Sequence, residues 1–549
     1  MRKKILFLFV LCFGVTYAQN DYLNYQNLTN NLKELDLKSK YCTVKSIGKS
    51  SGGKEIWLLT ISKSTTTKPA LLITAGFDGK YRAGTQITLK MIDNLLKSDK
   101  LSKILEEKTI YFVPSVNPDA IDAAFANVKM EKRGNATKTD DDRDGKIGED
   151  PFEDLNKDGL ITQLRIEDIT GNYIENPEDS RVLIKADPTK NQVGKYVLIS
   201  EGIDNDKDGI FNEDFSDGVN IDKNFTFDYP AFEKGAGLYV ASEPESRALL
   251  DFLYLNQNIY GVLTFGMHNN LSETTKYDSK VASSRIIKGW LEKDNKVAEQ
   301  VSKLYTQKSA IKGGPKMPMT KGNFAQTAYF HAGRFSFSTP GWWIPKVEAK
   351  KDSIDSKLEK PKEKEKDKEE VNSEVSFLKW ADSQNVKSSF LNWSVIKHPD
   401  FPNQKVEVGG FAPYALNNPP LNFLDETATK HVLFVEELLA AMPKIETNVP
   451  EVEKIKENLY RVTIKVANKG LLPTYTEIGD KIRFISKMKT EIVLQGNQSM
   501  VSGRKYFIRN SMQADESEEY SWLISGTGKV TITTGCATAG FKEVVVDLK

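Results

Sequence analysis

The 549-residue chain is expected to fold as an α/β sheet layered with helices, followed by a separate all-β sandwich. Two patterns predict this. Short apolar, β-rich runs alternate with stretches of helical periodicity from residue 55 to 443, and beyond Pro450 the helical period gives way to alternating strands. A third observation supports it: 39% hydrophobic residues in a chain long enough for about two to four domains supply the apolar surface that packed cores need.

The chain opens MRKKILFLFVLCFGVTYAQN, with basic Arg2, Lys3 and Lys4, an apolar run over residues 5–15 and small residues before a cut expected after Ala18. Residues 1–18 therefore read as a secretory signal peptide, shorter than the roughly 20 apolar residues of a membrane span, which predicts a secreted or periplasmic protein. Cys12 follows Leu11, where a lipoprotein signal needs a small residue. Cys42 and Cys536 either pair or stay as two buried thiols.

EIWLLTIS and PALLITAG are short apolar strands, RAGTQITLKMIDNLLKSD has helical spacing, and TIYFVPSV is a buried strand ending at Asn117-Pro118-Asp119. The pattern resumes with the helix SEPESRALLDFLYLNQN, where Ser242 and Glu245 have capping-box spacing. It continues through the strand IYGVLTFG and the helix IIKGWLEKDNKVAEQVSKLY, and the helix DETATKHVLFVEELLAAM closes the unit near Pro443. An Asp- and Gly-rich insertion (134–217) and a Lys/Glu-rich low-complexity segment (348–374) interrupt it; the second has too few apolar residues to bury a core and is expected at the surface. LYRVTIKVAN, KIRFISKM and KVTITT, with the turn Asn468-Lys469-Gly470, define the β-sandwich of residues 445–549.

With 76 Lys+Arg against 75 Asp+Glu the formal net charge is +1. There is no global attraction for nucleic acid or anionic lipid, so neither is expected as a partner. Oligomeric state is open. The four histidines, His268, His331, His398 and His431, have no dyad spacing, and the last three read as core, loop and surface residues respectively.

Three segments share D-x-[DN]-x-D-G: Asp140, Asp142, Asp144 with Gly145; Asp154, Asn156, Asp158 with Gly159; and Asp204, Asp206, Asp208 with Gly209. Alternate side-chain oxygens on a tight loop can converge on Ca²⁺, although none of the three has the twelfth-position acid of an EF-hand. The expectation is structural calcium that orders the insertion.

SIGKSSGGKEIWLLTIS, PALLITAG, YFVPSVNPDA, DGVNIDKNF, SEPESRALLDF, GVLTF, GNFAQTAYFHAGRFSFSTPGWW and VEVGGFAPY follow in order the landmarks of secreted zinc carboxypeptidases. The chain thus resembles a bacterial member of that metallocarboxypeptidase family over about residues 40–443. The resemblance implies one α/β domain (19–443) with a mixed eight-stranded sheet flanked by helices and a site at the strand ends. It also implies zinc held by two His and one Glu, a carboxylate general base, and cations for the substrate carboxylate and scissile carbonyl.

Laid against those motifs, the zinc-ligand positions are Asp78, Tyr81 and Gly266, with His268 two residues on as an alternative. The Asn-Arg pair that grips the substrate carboxylate becomes Asp222-Lys223, which loses the bidentate fork and adds a repelling charge. The general base falls at Pro340; Glu407 in VEVGG is a weaker candidate and reads as structural. Zinc is therefore expected from the family but not from these residues. The preferred reading is a carboxypeptidase-like pseudoenzyme whose cleft binds a peptide or other ligand, with Tyr329, Phe335, Trp342 and Trp343 as candidate aromatics. Two alternatives stand beside it. One is an active metallocarboxypeptidase with an atypical site built from Asp78, His268 and Tyr81, with Glu407 or Glu273 as base. The other is a calcium-stabilised extracellular binding or adhesion protein acting through its β domain.

Overall fold

Six strands form the central mixed sheet in the computed structural model of the chain, which describes residues 22–64, 66–140, 145–148, 150–212, 217–345 and 372–549. The expected signal peptide, most of the Lys/Glu-rich segment, and Asp142 and Asp144 lie outside these residues. In spatial order the strands are Cys42–Lys49, Glu55–Ile61, Thr109–Val113, Ala70–Ala75, Ile259–Phe265 and Phe335–Thr339. The first two pairings are antiparallel and the remaining three parallel. Ala70–Ala75 and Ile259–Phe265 are buried along their whole length, the physical reason both read as unbroken apolar runs.

One face of the sheet packs on the helices Tyr25–Lys38, Ala83–Leu96, Glu292–Ser309 and Asn422–Ala441, through residues such as Leu32, Ile87, Val301 and Leu438. The other carries Pro244–Leu255 and Phe324–Phe330 through Leu249, Phe252 and Phe324. Helices on both faces of parallel strands leave the strand ends at Ala75 and Phe265 as a natural place for a cleft.

The mixed sheet has six strands rather than the eight implied by resemblance. Phe390–Ile396 and Val406–Phe411 join a second, six-stranded sheet with Gln163–Glu167, Tyr196–Ser200, Tyr173–Asn176 and Asp179–Lys185. The Asp-rich insertion therefore contains strands as well as loops. Leu164, Ile166, Val406 and Val408 form its core, and Arg165 meets Glu407 across the register at 2.8 Å.

Two helix starts differ from expectation. Pro244–Leu255 begins without a side-chain cap; Ser242 Oγ donates to Glu243, and Glu245 turns inward to accept from Ser51 N and Asn135 Nδ2. The next long helix begins only at Glu292, because Trp290 stacks on Tyr329 (centroids 4.2 Å apart) and Leu291 N donates to the Tyr329 hydroxyl. Tyr329 and Phe335 are thus core residues. Trp342 packs on Trp380, and Trp343 donates to Lys312 O.

Two histidines exchange their expected places. His331 is exposed, whereas His431 is fully buried between Phe265 and Tyr305, with Nε2 against Gly341 O at 2.9 Å. Cys42 and Cys536 are two separate buried thiols.

The C-terminal domain is a sandwich. Ile445–Thr447, Glu451–Lys456, Leu459–Asn468, Ser517–Ser525 and Ser499–Ser502 face Tyr506–Arg509, Met488–Val493, Gly528–Cys536 and Gly540–Leu548 across a core of Tyr460, Ile464, Trp522 and Ile532. It docks on the first domain through Asp294, whose carboxylate caps the helix Glu477–Ile482. Oδ1 accepts from Glu477 N at 2.7 Å, and Oδ2 from Ile478 N at 3.0 Å and the Tyr329 hydroxyl at 2.8 Å. Among the described residues, no helix is long and apolar enough to cross a membrane.

Asp294→Ala removes an inter-domain cap and is expected to cost about 1–2 kcal/mol in chemical denaturation. Burial lowers the His431 pKa from 6.5 to about 4, so its contribution is intact above pH 6.5 and is lost as pH falls toward 4. That difference corresponds to about 3 kcal/mol. His431→Gln keeps a donor for Gly341 O and should flatten this acid limb in a stability–pH profile.

Candidate functional site

At the end of strand Ala70–Ala75 the chain turns through Gly76 (φ +67°) into Phe77 and Asp78. Asp78 is 4% exposed. A buried carboxylate needs compensation, and Arg133 supplies it: Nε and Nη2 both donate to Asp78 Oδ2, at 2.9 and 2.7 Å. Asn220 Nδ2 reaches the same oxygen at 3.2 Å, and Lys80 N donates to Oδ1 at 2.9 Å. Burial pushes the Asp78 carboxyl up, against the pull of Arg133. Arg133 Nη2 also lies 2.9 Å from Met267 Sδ.

Two glycines make this approach possible. A Cβ at Gly79 would lie 2.2 Å from Lys132 O, and one at Gly218, whose φ is +75°, would lie 2.2 Å from Asn135 O. Asn135 N donates to Val219 O while Val219 N donates to Asn135 Oδ1, clamping the Arg133 segment to the segment that carries Asn220 and Asp222.

The second pair lies next along the chain. Asn220 Oδ1 accepts from Asp222 N, so one amide joins both charged pairs. Asp222 Oδ2 is 3.0 Å from His268 Nε2, and Oδ1 accepts from Phe324 N at 3.1 Å. His268 Nδ1 lies 3.2 Å from Pro318 O, so both ring nitrogens face acceptors. Burial alone would depress the His268 pKa; Asp222 and the Pro318 carbonyl outweigh it and raise it above 6.5.

The other expected positions separate. Burial moves the Tyr81 phenol up to about 12, and Tyr81 N donates to Asp78 O. Gly266 N donates to Thr339 O, and a Cβ there would meet nothing nearer than Thr264 Cγ2 at 3.9 Å. Pro340 is buried just beyond the strand Phe335–Thr339. The Lys223 side chain turns away from Asp222 to Lys234 O at 3.2 Å, so the two do not grip one ligand. Glu407 belongs to the second sheet. Burial opposes its charge, but Arg165 and Lys405 hold its carboxyl below the ordinary range. Glu273 is exposed.

Arg133 escapes motif reading because it sits in a stretch, EKRGNATK, with no landmark of its own. The available signal was physical: an aspartate at the end of an all-buried strand requires a cation.

Residues 28–340 match the zinc carboxypeptidase family, more than half of the chain. The chain belongs to that family. Residues 444–547 match a domain of unknown function (DUF8731). Carboxypeptidase D of Anas platyrhynchos is 30% identical over 123 residues, 21% of this chain and 8% of that protein. A zinc carboxypeptidase of Saccharothrix mutabilis subsp. capreolus is 21% identical over 140 residues, 23% of this chain and 32% of that one. The chain therefore spans less than a third of the length of these relatives. Among solved structures, bovine thrombin-activatable fibrinolysis inhibitor in complex with tick carboxypeptidase inhibitor aligns at 11% identity with a TM-score of 0.41, covering 76% of this chain and 96% of that one. Carboxypeptidase A from Helicoverpa armigera aligns at 14% identity with a TM-score of 0.37, covering 58% of this chain and 63% of that one.

Zinc is the metal of this family, and the residues here do not fit it. Such a site needs imidazole and carboxylate ligands free to converge at about 2.0–2.2 Å. Asp78 is engaged by Arg133, His268 by Asp222, Tyr81 is a neutral phenol and Gly266 has no ligand atom. Among the described residues, the set of three His, Cys, Asp or Glu whose ligand atoms all lie within 4.8 Å of one another is Asp204, Asp206 and Asp208, in the insertion.

Asp222→Asn and His268→Gln should each destabilise the protein by about 3 kcal/mol, and the double variant by much less than their sum. Denaturation of the four proteins measures this coupling.

Proposed function

We propose that this zinc carboxypeptidase-family protein does not hydrolyse peptides and instead binds a peptide or other ligand in the family's cleft. The observation that carries this reading is the internal pairing of Asp78 with Arg133 and of Asp222 with His268, at the positions where the family motifs would put a metal ligand and a substrate-binding group. A positive charge joined to the carboxylate at the first ligand position opposes a dication there, and an aspartate held on His268 removes the histidine nearest to the last one. Pro340 at the base position has no group that could take a proton from water. The chain's own residues can still orient a ligand: Arg133 is 38% exposed at its side chain, beside Asp78 just beyond the strand Ala70–Ala75.

The test is metal analysis of the purified protein together with a C-terminal release assay on mixed peptides. The expected result is no stoichiometric zinc and no chelator-sensitive release of C-terminal residues. One equivalent of tightly held zinc with chelator-sensitive release would overturn the reading.

A separate observation favours structural calcium. The carboxylates of Asp204, Asp206 and Asp208 converge, with Gly209 N donating to Asp204 Oδ2 and Asp208 N to Asp206 Oδ1. Three hard oxygen donors on a loop closed by Gly209 (φ +92°) suit that ion. Calcium should raise the melting temperature of the wild type and not of a variant carrying Asp206→Asn with Asp208→Asn. Absence of both heat and stabilisation on titration would count against it.

A further inference from the structure

Arg82 is 5% exposed and stands at the N-cap of the helix Ala83–Leu96, yet among the described residues its guanidinium has neither an ion-pair nor a hydrogen-bond partner; Nε is buried without one. Aromatic faces surround it: Tyr414 at 4.4 Å, Tyr22 at 5.0 Å and Phe125 at 5.8 Å. Neither phenol serves as a counter-charge. Burial raises both phenol pKa values; Tyr22 donates to Pro419 O, and the Tyr414 oxygen accepts from Lys132 N. Glu131, a nearby carboxylate, is paired with Lys80 at 2.9 Å. A guanidinium stays charged at any physiological pH, and ring quadrupoles compensate a buried cation only in part.

Beside this group lies a cavity of about 30 Å³ lined by Arg82, Tyr22, Trp380, Ser388, Asn418 and Pro419 among others. That volume holds one small ion or one or two waters. We propose that the cavity binds a small monovalent anion of chloride size, held by the Arg82 guanidinium. The helix N-terminus beside it adds positive potential: Arg82 makes no side-chain cap, and Ala83 N is taken by Asn418 Oδ1. The apolar edges of Trp380 and Pro419 favour a weakly hydrated ion over a strongly hydrated or multivalent one. The bound anion would tie the segment at Tyr22, the helix Ser373–Ser383 and the 415–420 loop to Arg82, immediately after Asp78 and Tyr81.

The experiment is thermal unfolding of the full chain at fixed ionic strength with chloride replaced stepwise by gluconate. The expected result is a melting temperature about 2–4 °C higher in 0.2 M chloride than in gluconate. Bromide should substitute for chloride, and Arg82→Met should lose the anion-specific increment. Anomalous diffraction from bromide-soaked crystals of the wild type keeps the proposal testable if Arg82→Met fails to fold, with a peak expected against the guanidinium. A melting temperature that follows ionic strength whichever anion is present, an increment that survives in Arg82→Met, or no bromide at Arg82 overturns the proposal.

Discussion

The Asp78–Arg133 ion pair is the constraint around which the region beyond the end of strand Ala70–Ala75 is organised. An aspartate this deep in a low-dielectric interior is tolerable only with a cation and hydrogen-bond donors around it, and Arg133, Asn220 and Lys80 N provide them. To deliver Arg133, the 132–136 segment must pass within bonding distance of both the Asp78 loop and the 217–222 segment. That approach is what Gly79, Gly134 and Gly218 permit, since a Cβ at any of them would lie within 2.5 Å of a backbone atom. The electrostatic requirement and the backbone geometry are therefore one design.

The two buried aspartates of this region are satisfied in a mutually consistent way. Asp78 carries a negative charge into the interior, and the Arg133 guanidinium cancels it. Asp222 is likewise matched, by His268 Nε2 at 3.0 Å and Phe324 N at 3.1 Å. Asn220 hydrogen-bonds to both carboxylate-bearing residues, so the two pairs share a pivot. The result is a network whose own donors and acceptors are largely matched to one another.

The α/β core was legible because strands such as Ala70–Ala75 are buried on both faces and must be apolar throughout, a pattern that needs no long-range information. The order of family landmarks pointed to Asp78 and Asp222, which the structure joins through Asn220. What stayed hidden depends on pairing across the chain. Arg133 reaches Asp78 over 55 residues, and Phe390–Ile396 and Val406–Phe411 leave the main sheet because the partner strand lies in the insertion. His431 was misplaced because an amphipathic helix can bury one polar ring when a carbonyl, here Gly341 O, accepts from it. The capping-box spacing at Ser242 was overridden by Glu245, which serves Ser51 and Asn135 inside.

The second sheet has a consequence for how the chain assembles. Glu407 and Arg165 face each other across 242 positions of sequence, so the strand that carries the VEVGG motif, paired on one side with Phe390–Ile396, keeps its other edge open until the insertion has folded beside it. Closing so long a loop is entropically costly, which places the pairing of Val406–Phe411 with Gln163–Glu167 late in folding and leaves those two strand edges exposed until then. The Asp-rich insertion is consequently not an ornament that could be excised: removing it would strand Val406–Phe411 with an open, apolar edge, a template for association with another chain.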